Sequence, residues 1–136
     1  MSAPLHLLLI THGRLGDELL ATATLILGPR DHTDALSNDG LSREGLVEAV
    51  LGRLEALPED ASLLLLVDAP GASPHLACRL ALARQPLERR ERQHGPITGV
   101  NLPLLLTALN RRETTPVDEL LPLLLDRGRA GILMAD

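Results

Sequence analysis

The chain contains no phenylalanine, tyrosine or tryptophan. That absence removes the ring platforms on which single-stranded nucleic acids stack. Lysine is absent too, so all 13 basic residues are arginine, and the net charge of −5 argues further against a phosphate-backbone partner. No nucleic-acid partner is expected. The single Cys78 forms no internal disulfide and belongs to no CxxC motif; it reads as a small buried hydrophobe on a helix. No run approaches the roughly 20 apolar residues that cross a bilayer. The start, Met1-Ser2-Ala3-Pro4, lacks a basic region, and the apolar run behind it is short for a signal peptide. A soluble cytoplasmic protein is expected, touching membranes only indirectly.

What is present is leucine and alanine, which must fill the core without rings. At 136 residues and 45% hydrophobic, the chain is expected to form one domain over 1–136 with a sizeable core. Leu5 to Thr11 reads as a strand buried on both faces. Leu15, Leu19, Ala23 and Ile26 recur at helical spacing before Gly28-Pro29. Thr33 to Ser37 reads as a short strand and Asn38-Asp39-Gly40 as a turn. Val47, Val50, Leu51, Leu54 and Leu57 form a helical stripe ended by Pro58. Ser62 to Asp68 is the clearest buried strand, and Ser73-Pro74 starts a helix, with serine as its expected cap. Leu87 to His94 reads as a solvated helix end and loop. Ile97 to Val100 reads as a fourth strand, followed by a helix from Asn101-Leu102-Pro103 through Leu109. Thr115-Pro116-Val117-Asp118 opens another with capping chemistry; Pro122 predicts a kink or late start there, and Gly131 to Met134 a last short strand.

This alternation predicts an α/β fold: a flavodoxin-like, mostly parallel sheet of order 2-1-3-4 with helices on both faces. In that order strands 1 and 3 lie side by side and their helices leave on opposite faces. A crevice opens at the strands' carboxyl ends, where His12 follows strand 1 and Asp68 ends strand 3. A carboxylate accepting the Nδ1–H of an imidazole fixes its tautomer and leaves Nε2 free as nucleophile or ligand. Gly13 and Gly71 admit close backbone approach, and both loops lead into helix N-termini, which favour anions. Ser73 either caps its helix or offers a hydroxyl to a phosphoryl group. His75 is close enough in sequence to support the crevice. His6 reads as a buried strand histidine, and His32 and His94 as loop residues.

Four segments in order, Leu8-Leu9-Ile10-Thr11-His12-Gly13, the helix to Ile26-Leu27-Gly28, Asp68-Ala69-Pro70-Gly71-Ala72-Ser73-Pro74, and Gly99-Val100-Asn101-Leu102-Pro103-Leu104-Leu105, resemble the IIA component of the mannose/fructose/sorbose branch of the bacterial phosphotransferase system. The resemblance spans nearly the whole chain. It implies a homodimer that exchanges a C-terminal strand, here Gly131 to Met134. It also implies that His12 takes a phosphoryl group from the phosphocarrier HPr and passes it to a IIB protein for sugar uptake, with Asp68 orienting the histidine. Gly13, Gly71 and Ser73 would surround the phosphoryl group, and no metal or other cofactor is implied. The family loop reads Asp-Leu-Phe-Gly-Gly-Ser-Pro; Ala69, Pro70 and Ala72 depart from it and alter the docking surface. The chain's end near Asp136 implies a separate acceptor protein.

Two other readings of the same residues stay open. A protein of this fold could act as a phosphorylation-dependent regulator of another protein. A small tetrapyrrole metal chelatase would use His12 as a metal ligand, with His75 and Asp68 as candidates across the cleft.

Overall fold

The structure, a computed structural model, describes residues 4–136. Its elements run β1 (Leu5–Thr11), α1 (Leu15–Leu27), β2 (Thr33–Ser37), α2 (Arg43–Ala56), β3 (Ser62–Val67), α3 (Ser73–Ala83), α4 (Leu87–Arg90), β4 (Gln93–Ile97), α5 (Leu102–Arg111) and α6 (Val117–Ala130). The four strands form one parallel sheet of order β2-β1-β3-β4. This is the expected sheet order.

Strand side chains alternate between two leucine-rich layers. Leu8, Ile10, Leu63, Leu65 and Val67 pack with α2 and α3 on one face. Leu7, Leu9, Leu64 and Leu66 pack with α1, α5 and α6 on the other. Each fully buried leucine contributes about 2 kcal/mol, so these layers hold the fold without rings. Because α1 follows β1 onto one face and α3 follows β3 onto the other, the switch point lies between β1 and β3.

Several local expectations need correction. The fourth strand is Gln93–Ile97, not Ile97–Val100. Gly99 takes a left-handed φ of 74°, which breaks the extended run, although the Val100 N–H still reaches the Val67 carbonyl at 3.0 Å. His94 therefore sits in a strand and not in a loop. Helix α1 buries Gly16 and Ala23, while Leu15 and Ile26 are exposed. Gly16 lets α1 lie against the sheet: an added Cβ there would stand 3.2 Å from both the Ala35 Cβ and the Thr11 Oγ1.

The helix starts differ as well. Ser73 is the first residue of α3, the cap position is Ala72, and no side-chain cap bond forms there. Pro116 caps α6 without a side-chain bond, and the helix starts on time and continues through Pro122 to Ala130. Asn101 does cap: its Oδ1 accepts the Leu104 N–H at 3.0 Å, and its Nδ2 donates to the Gly128 carbonyl at 2.9 Å. The Asn-Leu-Pro turn thus starts α5 and ties it to α6.

Gly131 to Met134 form no strand within the chain. Ile132, Leu133 and Met134 are left exposed. No described helix is long and apolar enough to cross a membrane.

Candidate functional site

The site is built at the carboxyl ends of β1 and β3. Their register pairs Ile10 with Val67, so the next residues, Thr11 and Asp68, leave the sheet side by side. Asp68 Oδ2 then accepts two bonds from His12, one from its backbone N–H and one from its ring Nδ1, each 2.8 Å. The sequence placed these two residues at neighbouring strand ends, and the fold brings them into contact. The Asp68 side chain is 11% exposed and that of His12 51%, so the carboxylate is the buried support and the ring faces outward.

An ionised carboxylate only accepts, so Nδ1 carries the hydrogen and the Nε2 lone pair is free. Burial pushes the Asp68 pKa up, but the bonds from the His12 amide and ring outweigh it and hold the carboxyl below its ordinary value. A depressed folded value means that this pair stabilises the fold above the unfolded carboxylate range, and that its contribution is lost as pH falls through the folded value. In His12→Ala the backbone bond remains and the ring bond goes. The Asp68 midpoint should therefore rise, as read by carbon-13 titration of the side-chain carboxyl. An unmoved midpoint would show that the ring does not hold the carboxylate. Asp68 Oδ1 is buried and makes no hydrogen bond among the described residues.

Two residues not singled out in the sequence complete the frame. Thr11 is buried, and its Oγ1 accepts the Gly16 N–H at 2.8 Å. Asn38, in the turn after β2, accepts the Gly13 N–H through Oδ1 at 3.2 Å and donates its own N–H to the Thr11 carbonyl at 3.2 Å. A polar residue closing an apolar strand and an Asn-Asp-Gly turn beside it were the available signals. Their partners become visible only once the strands are ordered in space.

The glycines sit at left-handed φ, 52° for Gly13 and 78° for Gly71, with open space where a Cβ would be. The Gly71 N–H donates to His75 Nδ1 at 2.7 Å. His75 thus faces the loop that leads away from Asp68. Among the described residues no three His, Cys, Asp or Glu side chains are grouped to hold a metal ion. His6 is half-buried and stacks on His32, ring centroids 4.3 Å apart, at the opposite end of β1 from His12.

These features define a doubly wound parallel α/β protein with an oriented imidazole at its topological switch point. Residues 6–124 match the family described as EIIA-man, PTS system fructose IIA component, and the chain belongs to that family. It is similar to the PTS system mannose-specific EIIAB component of Escherichia coli strain K12, with 33% identity over 125 residues. That match covers 90% of this chain and 36% of the relative, so the chain spans about a third of that protein's length. The fold is shared with solved structures. The phosphotransferase system component EIIA from Streptococcus agalactiae superposes with a TM-score of 0.83 at 20% identity, covering 96% of each chain. The mannose/sorbose specific IIA subunit from Enterococcus faecalis gives 0.78 at 24% identity, covering 100% of this chain and 96% of that one.

Proposed function

We propose that this chain is a phosphoryl relay in which His12 accepts a phosphoryl group from an HPr-like phosphocarrier and passes it to a IIB protein, in support of sugar uptake. The observation that carries this reading is the double bond-making of Asp68 Oδ2 to one histidine. It leaves Nε2 as the exposed nucleophile. In the step, the Nε2 lone pair attacks phosphorus in line with the donor's phosphorus–nitrogen bond. A new N–P bond forms as the old one breaks, and the leaving electron pair returns to the donor imidazole. Positioning and charge stabilisation do the catalytic work. Asp68 stabilises the positive charge that develops on the ring.

Gly13 and Gly71 contribute room, since no atom stands within 4 Å of their Cβ directions. Ser73, which uses no cap bond, offers its hydroxyl at the N-terminus of α3. The relay is proposed to work in the cytoplasm as a homodimer of one domain over 1–136. The exposed Ile132 and Leu133 would pair in it as an exchanged strand.

The test is incubation with phosphoenolpyruvate, enzyme I and HPr, followed by intact-mass analysis and site mapping. One acid-labile phosphoryl group on His12 is the expected result. No label with active general components, or a label mapped elsewhere, would overturn the reading. Asp68→Asn removes the charge and offers an amide in place of a pure acceptor. It should slow single-turnover transfer on the order of 100-fold while leaving some labelling; unchanged kinetics would refute the orienting role.

A further inference from the structure

His75 lies in the first turn of α3, with its ring turned back toward the loop that follows Asp68. Helices commonly begin with a Ser, Thr, Asp or Asn that accepts an early N–H. Here that position is Ala72, which has no side-chain acceptor, and Pro74 brings no N–H to be capped. The His75 ring takes a different bond: Nδ1 accepts the N–H of Gly71 at 2.7 Å. The reach resembles that of the third-residue glutamate in a capping box, displaced one residue up the chain. The bond anchors the amide at the middle of the loop between Asp68 and Ser73.

The bond has two chemical consequences. A nitrogen that accepts cannot also carry a proton, so the ring is neutral with its hydrogen on Nε2. The anchored residue, Gly71, is the left-handed bend at φ 78°. It stands three residues from the carboxylate that holds His12. Pro70 stiffens one side of that bend, and the His75 bond fixes the other.

Resting on the phosphoryl-transfer reading, we propose that His75 is a positioning residue. Through Gly71 it fixes the turn over 69–72, and so the direction in which Asp68 presents its carboxylate to His12.

Two variants test this. His75→Leu removes the acceptor. His75→Asn restores one, because its Oδ1 sits one bond beyond Cγ, as Nδ1 does. Transfer from phospho-HPr should slow about 10-fold in the Leu variant at saturating donor, with KM unchanged, and should stay within about 2-fold of wild type in the Asn variant. Nitrogen-15 spectra of the wild type should show His75 unprotonated at Nδ1 and protonated at Nε2. That readout needs no variant to fold. An Asn variant as slow as the Leu variant, a change in KM alone, an unaffected Leu variant or an Nδ1-protonated ring would each overturn the proposal. A wild type that labels on His12 beside an unaffected Leu variant removes only the role of His75. A wild type that takes no label removes the relay and, with it, this role.

Discussion

His12→Ala should abolish phosphoryl acceptance while the protein stays folded. The ring is half exposed and belongs to neither leucine layer, so its removal leaves no cavity. The His12 backbone N–H keeps its bond to Asp68 Oδ2, and the Gly13 and Gly16 amides keep theirs to Asn38 and Thr11. The expected stability change is within about 1 kcal/mol, the range of surface substitutions that break one exposed bond. Transfer, by contrast, loses its nucleophile. Nothing in the 11–16 loop supplies another nitrogen base, so the rate should fall by at least about 10³-fold. Quench-flow labelling beside a urea melt separates the two effects. Retained labelling would place the acceptor elsewhere, and a large loss of stability would show that the ring is structural.

Gly95→Ala should produce a large loss of stability for a single added methyl. Gly95 lies in β4 at φ 95°, a region closed to residues with a Cβ. The added carbon would stand 2.6 Å from the Leu65 carbonyl oxygen and 3.1 Å from the Ile97 nitrogen. Both are backbone atoms, and Leu65 is fully buried in β3, so neither can swing aside. Backbone strain and the clash together should cost about 3 kcal/mol or more. Gly52→Ala on α2, where a Cβ meets open space, is the control and should be neutral or slightly stabilising. Thermal melts of both variants check this. A Gly95→Ala protein within about 0.5 kcal/mol of wild type would mean that β4 is not held against β3 at this point.

The parts of the fold legible in the sequence were those whose signal is local. Leu5 to Thr11 and Ser62 to Val67 are nearly unbroken apolar runs, as strands covered on both faces must be; the first lies where expected, and the second ends one residue before the expected Asp68. β4 was misplaced because its residues, Gln93-His94-Gly95-Pro96, are poor strand formers. They are tolerated because β4 lies at the sheet edge, where proline's missing N–H costs little. The His12–Asp68 contact was legible because strand order alone brings two strand ends together. The bonds of Thr11, Asn38 and His75 were not legible. Each depends on a side chain reaching a particular amide across a turn, and periodicity carries no information about that. Ser73 was expected to cap α3 because residue type favours it, yet Ala72 holds that place.

For the relay proposed above, the anchored amides around His12 bear on how fast a partner could react with it. The N–H groups of residues 12, 13 and 16 all end on side chains of the same chain, from Asp68, Asn38 and Thr11. The loop's conformational freedom is therefore surrendered during folding and not at encounter. A visiting protein has no segment to order before it can react, so the rate of meeting is set by diffusion and orientation. Little binding energy is committed to shaping the loop, so the visitor can leave as readily as it came. In the proposed relay, a site with this rigidity would suit brief, repeated collisions over a single resting shape.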